Sequence, residues 1–108
     1  MAPITPHKAA KVVIVTEKLI EEKIEKIILD AGATGYTVLD GSGKGAHSLR
    51  TRDRPSVVAG FALVRIEVIV ADRAIADCIA ENVSDGFFEN YSGIIYLDEV
   101  EVLRREKF

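Results

Sequence analysis

A glycine-rich, cationic segment holds the residues of this 108-residue chain whose types and spacing could do chemistry. Residues 41–60 read GSGKGAHSLRTRDRPSVVAG and set one acidic side chain, Asp53, against four basic ones, Lys44, Arg50, Arg52 and Arg54. The segment is positively charged although the whole chain carries a net charge of -3. Glycine lets backbone N–H groups approach an anion closely, and Lys or Arg supplies the charge. The segment is therefore predicted to bind an anion such as phosphate.

The spacing of its glycines excludes two common nucleotide motifs. Gly41, Gly43 and Gly45 alternate with other residues and form neither G-x-x-x-x-G-K-[ST] nor a G-x-G-x-x-G that opens a helix. A P-loop NTPase and a Rossmann domain are thus excluded. A solvated loop with incidental charge remains the alternative interpretation, although loops beyond about 12–15 residues are usually functional or disordered.

The remaining reactive side chains give no case for catalysis or metal binding. His7, His47 and Cys78 lie far apart in the sequence and have no metal-ligand spacing. Cys78 adjoins Ile79 on a predicted helix, which favours a small packed side chain over a nucleophile. No Ser/His/Asp set or carboxylate pair can be assembled, so the chain is predicted not to be an enzyme.

Composition places the chain among ordinary globular domains. Hydrophobic residues make up 48% and charged residues 29%, which argues against disorder, and the sequence pI of about 5.4 gives no basic field for nucleic acid. No apolar run is long enough to span a bilayer, and the N-terminus lacks the features of a secretory signal. A single cysteine cannot form an internal disulfide. We expect one cytoplasmic domain over residues 1–108, with residues 1–11 as a loose tail.

The first half of the chain predicts a strand, a helix and a second strand. Val12–Val15 is typical of a buried strand, and Thr16 is a candidate helix N-cap. Gly32 is expected just past the helix end, and Gly35–Leu39 is the second strand candidate. The helix is amphipathic because apolar residues recur at steps of three and four, at Ile20, Ile24, Ile27, Ile28 and Ala31.

The second half predicts the same order. A strand over Phe61–Val70 is followed by Asp72 as an N-cap, and Ile75, Ile79 and Val83 then recur at steps of four. Asp85-Gly86 is expected to end this helix, and Ile94–Leu103 is the last strand.

The order β-α-β, long connection, β-α-β predicts a ferredoxin-like α+β sandwich with one antiparallel sheet under two helices. The second sheet face is rich in Val and Ile, which favours self-association. RNA recognition motifs share this order of elements. However, the third strand here has one aromatic residue, Phe61, and the domain is acidic, so RNA binding is not favoured.

Three stretches resemble the PII signal-transduction superfamily, and within it the cyanobacterial and proteobacterial PII-like branch called SbtB. They are VIVTEKL, AGATGYTVLDGSGKG and FFENYSGIIYLDEVEVL. The resemblance implies a homotrimer in which residues 41–60 form the T-loop, an arm that binds partners. It also implies that cyclic AMP, AMP, ADP or ATP binds in clefts between subunits. The nucleotide would control docking on the bicarbonate transporter SbtA, so the protein would be cytoplasmic and peripheral to the membrane.

The same resemblance implies roles for individual residues. Lys44, Gly45 and Arg50 would contact the phosphate groups, and Gly93 would lie where a neighbouring subunit closes the site. His47 stands where relatives often carry an arginine, so its phosphate contact is expected to depend on pH. Two further pairs complete the set: the strand residues Leu63 and Val64 would wall the adenine, and Arg52 and Arg54 would dock on the partner.

Two features of the family are absent from this sequence. Residues 41–60 contain no tyrosine, so uridylylation of that segment is excluded, and the chain lacks the C-terminal cysteine pair of many relatives.

Other features are left open by the sequence. Mg²⁺ or Ca²⁺ could accompany ATP. Two alternatives remain, a carboxysome-associated PII-like protein that senses bicarbonate or another anion, and a slow ATP or ADP hydrolase.

Overall fold

The computed structural model describes residues 5–41 and 62–103. The predicted site residues Lys44, Gly45, His47, Arg50, Arg52 and Arg54 lie outside these ranges. The described chain contains four strands, two α-helices and one 3₁₀ turn. Their bounds are β1 His7–Glu17, the 3₁₀ turn Lys18–Ile20, α1 Glu21–Asp30, β2 Thr37–Gly41, β3 Leu63–Val70, α2 Arg73–Phe87 and β4 Gly93–Val102.

The four strands form one antiparallel sheet in the order β2-β3-β1-β4. β1 is an inner strand that pairs with β3 along Ala10–Glu17 and with β4 along His7–Thr16. Both helices lie on one face of this sheet, because their apolar sides join the inward-facing strand residues in a single core. The predicted ferredoxin-like α+β sandwich is confirmed.

The core is built from alternate residues of β1 and β3, as expected when one face of a strand meets the helices. The predicted helix periodicity is confirmed, since Ile20, Ile24 and Ile28 are buried and Ile27 and Ala31 pack at the margin. Burial of each such Ile or Val side chain contributes roughly 1.5–3 kcal/mol. The other fully buried core residues include Val12, Ile14, Val64, Ile66, Val68, Ala76, Ile79 and Val83.

Two of the predicted helix boundaries are confirmed and two are wrong. Asp85-Gly86 does not end the second helix, because both residues lie inside α2, which continues to Phe87. The Asp72 carboxylate accepts a hydrogen bond from the Ala74 N–H over 2.9 Å and caps α2. Gly32 follows α1 with a φ of +108°, a conformation that glycine adopts without a Cβ clash. Thr16 is not a helix cap, because β1 continues to Glu17 and α1 begins only at Glu21.

The strand His7–Glu17 also corrects the predicted loose tail. Residues 7–11 belong to β1 because they pair with Val102–Asp98 of β4, a long-range pairing that the local sequence does not show. The packed position predicted for Cys78 is wrong, since its side chain is exposed and its Sγ accepts a hydrogen bond from the Asn82 amide at 3.5 Å. One residue step on a helix turns the side chain by about 100°, which carries Cys78 away from buried Ile79.

The sheet face opposite the two described helices, called the helix-free face below, is partly apolar. Three large side chains are exposed there, Leu39, Ile94 and Tyr96, with relative accessibilities of 55%, 53% and 42%. Arg65 lies on the same face, and its guanidinium is 3.2 Å from the Glu67 carboxylate. The Tyr96 hydroxyl first, and Glu67 after it, raise the pKa of the Arg65 guanidinium above its ordinary value. Polar and apolar side chains therefore alternate on a surface that neither of the two described helices covers.

Candidate functional site

The strand ends that border the 42–61 connection meet at one edge of the sheet. Neighbouring strands are antiparallel, so the ends of β1 and β2 lie beside the starts of β3 and β4. Glu17 and Gly41 both pair with Leu63, and Thr16 pairs with Gly93. This edge, called the site edge below, brings Gly93 to the same end of the sheet as both ends of the connection.

Three buried polar residues lie together at the site edge. They are Thr16, Glu17 and Ser92, with relative accessibilities of 1%, 6% and 3%. The Thr16 hydroxyl donates to the Ser92 carbonyl over 2.7 Å, and the Ser92 N–H donates to the Glu17 carboxylate over 2.6 Å. Both backbone groups of Ser92 are thus bound by consecutive side chains of β1. These bonds fix the turn between α2 and β4 against the end of β1.

Gly93 is required at the site edge by close packing. A Cβ atom at this position would lie 2.6 Å from two atoms of the Phe88 ring and 2.9 Å from the Thr16 Oγ1. Such contacts are shorter than real Cβ atoms show, so any side chain would displace the ring or the hydroxyl. The structure therefore gives Gly93 a packing role within a single chain.

Lys18 contacts both ends of the 42–61 connection. Its backbone N–H donates to the Ala62 carbonyl over 3.1 Å. Its ammonium donates to the Asp40 carboxylate over 2.8 Å and to the Glu21 carboxylate over 3.3 Å. The hydrogen bond to Asp40, followed by that to Glu21, raises the pKa of the Lys18 ammonium above its ordinary value. Lys18 therefore stays a cation at neutral pH.

Among the predicted site residues within the described chain, Gly93 and Leu63 reach the site edge and Val64 does not present its side chain there. Leu63 is half-buried at the start of β3, opposite Glu17 and Gly41. Val64 is only 1% exposed and packs in the core under the helices. The Val64 side chain is therefore part of the core, and the expectation that Leu63 and Val64 wall an adenine stays a prediction.

Several residues of the site edge are not predicted by the sequence. The sequence pattern favours a helix start at Thr16 and Glu17, and it indicates no role for Lys18 or Ser92. A run of polar residues, Thr-Glu-Lys, directly after a buried strand is a signal that could have drawn attention to the end of β1. Ser92 has no local signal, because its two partners lie 76 and 75 residues away in the sequence.

Two other kinds of site are not found in the described part of the chain. Among residues 5–41 and 62–103, no three His, Cys, Asp or Glu side chains are grouped so that they could hold a metal ion. Neither of the two described helices combines the length and apolar character that crossing a membrane requires.

Comparison with known proteins shows the same architecture in relatives. A crystal structure of a PII-like signaling protein from Thermus thermophilus is 30% identical, with a TM-score of 0.77 and coverage of 97% of this chain and 99% of that chain. CPII from Thiomonas intermedia K12, bound to ADP, AMP and acetate, is 27% identical, with a TM-score of 0.79 and coverage of 97% of this chain and 98% of that chain.

The same CPII bound to ADP and bicarbonate is 26% identical, with a TM-score of 0.78 and coverage of 98% of this chain and 99% of that chain. The family model described as nitrogen regulatory protein P-II matches residues 9–107, which is almost the entire chain. This match includes all four strands, both helices and the site edge apart from the first two residues of β1. The chain therefore belongs to the nitrogen regulatory protein P-II family.

Proposed function

We propose that this protein is a PII-like signalling protein that binds adenine nucleotides at the site edge. The observation that carries the proposal is the structure of CPII with ADP and AMP, which shares the fold over 97% of this chain at 27% identity. The nucleotide would be an effector and would not be consumed, so the proposed activity is sensing and not catalysis.

The phosphate groups would be bound by the cationic segment, and the site edge would hold that segment in place. Lys44, Gly45 and Arg50 are the proposed phosphate contacts, supplied by backbone N–H groups and by two permanent cations. His47 would add a contact that strengthens as the imidazole becomes protonated, near pH ~6.5 for an unperturbed side chain. Leu63 is the proposed adenine contact at the start of β3.

The proposed assembly is a homotrimer with nucleotide clefts between subunits. Support comes from the helix-free face, where Leu39, Ile94 and Tyr96 are exposed although large apolar side chains are favoured inside. A second copy packed on this face would remove them from water. Gly93, at the start of β4, lies directly before Ile94 on this surface. The proposed nucleotide cleft and the helix-free face are therefore close to each other in the sequence and in the sheet.

The proposed partner is a bicarbonate transporter of the SbtA type, as for the SbtB branch of the family. Arg52 and Arg54 would dock on it, and the nucleotide bound nearby would select among arrangements of the 41–60 segment. In that case the protein acts in the cytoplasm at the inner face of the membrane, through its partner and without inserting into lipid.

A second candidate function is bicarbonate sensing together with a nucleotide, in the manner of a carboxysome-associated PII-like protein. It is favoured by the structure of CPII bound to ADP and bicarbonate, 26% identical over 98% of this chain. Bicarbonate is a small anion, so the same cationic, glycine-rich segment would suit it.

Calorimetric titration of the purified full chain tests both candidates. Cyclic AMP, AMP, ADP and ATP are each titrated with and without Mg²⁺ or Ca²⁺, and each series is repeated with bicarbonate. Micromolar binding near one site per subunit supports the sensor, and a nucleotide affinity that changes with bicarbonate supports the second candidate. Arg50→Ala should weaken binding without changing the solution mass. Arg73→Ala is the matched control, because Arg73 is an exposed arginine paired with Asp77 on α2.

The proposal fails if no adenine nucleotide produces heat or displaces another ligand. The proposed phosphate contact of Arg50 is rejected if Arg50→Ala binds adenine nucleotides as tightly as the parent does. A phosphate-release assay with and without divalent metal separates binding from slow hydrolysis of ATP or ADP.

A further inference from the structure

A charged pair, Arg65 and Glu67, lies in the middle of the helix-free face. The strand register places two rows of side chains on this face, which are Leu39, Arg65, Val15 and Ile94 in one row and Thr37, Glu67, Val13 and Tyr96 in the other. In both rows the charged residue belongs to β3, an inner strand. The exposed apolar side chains lie on the strands at the two edges, Leu39 on β2 and Ile94 and Tyr96 on β4. The pair is therefore flanked by apolar surface on both sides.

The contacts of this pair within the chain leave part of its hydrogen-bonding capacity unused. The Arg65 guanidinium lies 3.2 Å from the Glu67 carboxylate and also donates a hydrogen bond to the Tyr96 hydroxyl. A guanidinium carries further N–H donors, and a carboxylate has further acceptor sites. Of the side chains, 38% of Arg65 and 29% of Glu67 remain accessible. Both groups can therefore bind a second partner that approaches this face from solvent.

The charges of the helix-free face balance one another. Arg65 is matched by Glu67, and in the next row Lys11 lies opposite Asp98. A partner with one dominant charge would place groups of like sign against half of these residues. A purely apolar partner would bury the pair and leave its remaining donors and acceptors unsatisfied, which is costly. A second copy of this chain offers a donor, an acceptor and apolar surface together, so the face is complementary to itself.

We propose that Arg65 and Glu67 determine the specificity of self-association, with Arg65 of one copy donating to Glu67 of the next copy. Burial of the flanking apolar side chains favours association in many orientations, whereas the charged pair favours only those in which opposite charges meet. This inference rests on the proposed homotrimer, because it names the side chains by which the copies recognise one another.

Charge reversal in the purified full chain tests the inference. Arg65→Glu gives each copy two carboxylates at this position, and Glu67→Arg gives each copy two guanidinium groups. Light scattering with size-exclusion chromatography measures the mass of each variant alone and of an equimolar mixture, and native mass spectrometry identifies assemblies that contain both variants. Arg73→Glu and Asp77→Arg are the matched controls, because these residues form an ion pair at 2.9 Å on α2.

Each reversed variant alone should associate at least about tenfold more weakly than the parent, because like charges then meet between copies. The mixture should regain assemblies that contain both variants, since each variant supplies the charge that the other lacks. Like charges persist within every single chain of the mixture, so this recovery reports contact between copies. Circular dichroism should show that both variants fold. Glu67→Gln, which removes a charge without adding repulsion, should weaken association by a smaller factor and serves as the test where reversal prevents folding.

The inference is overturned if the folded Arg65→Glu or Glu67→Arg variant associates as strongly as the parent, or if their mixture contains no mixed assemblies. It is also overturned if Arg73→Glu or Asp77→Arg weakens association equally, because the effect would then come from net charge. A parent that is a single chain in solution rejects the proposed homotrimer together with this inference. A parent that assembles and binds adenine nucleotides, with reversed variants that assemble equally well, rejects the inference alone and leaves the proposed function standing.

Discussion

The Thr16 hydroxyl donates a hydrogen bond to the backbone carbonyl of Ser92 over 2.7 Å, inside a region where both residues are almost fully buried. The bond joins the end of β1 to the residue that precedes β4, across 76 positions of sequence. Together with the Glu17 carboxylate, which accepts from the Ser92 N–H, it determines where the turn after α2 enters the site edge.

Thr16→Val should destabilise the fold by about 1–3 kcal/mol, because valine keeps the shape of threonine but leaves the buried Ser92 carbonyl without its donor. Urea unfolding followed by circular dichroism measures the change. Thr37→Val is the control, since Thr37 is exposed on the edge strand β2, and it should stay within about 0.5 kcal/mol of the parent. Equal stabilities for the two variants would show that the Thr16 bond contributes nothing.

Gly93→Ala should cost about 1–3 kcal/mol through overpacking against Phe88 and Thr16, where a Cβ atom meets the ring at 2.6 Å. Gly86→Ala is the matched control within α2. A Cβ atom at Gly86 has open space, with nothing within 4 Å, and alanine favours a helix over glycine by about 0.5–1 kcal/mol. The two alanine substitutions should thus change the free energy of unfolding in opposite directions. A neutral Gly93→Ala would contradict the packing role.

Leu39→Glu should shift the protein from the proposed trimer toward a folded single chain, because a carboxylate on the helix-free face cannot be buried between copies without a large desolvation cost. Light scattering with size-exclusion chromatography gives the mass. Leu29→Glu is the control, since Leu29 is 49% exposed, close to the 55% of Leu39, but lies on α1. An unchanged mass in both variants would place the interface elsewhere.

The contribution of Glu25 to the stability of the parent should fall as the pH rises above the ordinary carboxyl range. Partial burial first, and then the neighbouring Glu21, raise the pKa of Glu25, so the folded chain binds this proton more tightly than the unfolded chain. The associated stability is complete below the unfolded pKa and is lost as pH rises through the raised folded pKa.

Glu25→Gln removes this dependence and should stabilise the protein at neutral pH by about 0.2–0.5 kcal/mol, with no gain at a pH below the ordinary carboxyl range. The glutamine carbonyl still accepts from Tyr36, which hydrogen-bonds Glu25 in the parent. Urea unfolding at both pH values checks the prediction. A loss of stability at neutral pH would show that the carboxylate form is favoured in the fold.

Most features set by local chemistry were predictable from the sequence, the end of α2 beyond Gly86 being an exception, and features set by distant partners were not. The Asp72 cap and the turn at Gly32 depend on residues within one helical turn, and both were predicted correctly. The strand character of residues 7–11 depends on pairing with Val102–Asp98, and the role of Thr16 depends on Ser92. Neither partner can be identified from the spacing of neighbouring residues.

The residues of the candidate site show the same contrast between what the sequence indicates and what only the three-dimensional structure shows. Gly93 is predicted through a resemblance, but its packing against Phe88 is visible only in three dimensions. Val64 is predicted through the same resemblance, and the burial of its side chain in the core becomes visible only in the structure, where consecutive side chains of β3 point to opposite faces. Lys18 is not predicted, because its partner Asp40 lies on a strand that is not adjacent to β1.

The position of Val13 shows how the central strand is shielded from water within a single chain. This residue lies on the face without helices, between Glu67 of β3 and Tyr96 of β4, and its accessibility is nonetheless 0%. The central strand is therefore shielded from water on both faces at this point before any partner arrives, and water reaches it only when the chain itself opens. The shielding of this strand therefore depends on the fold of the single chain and not on the protein concentration.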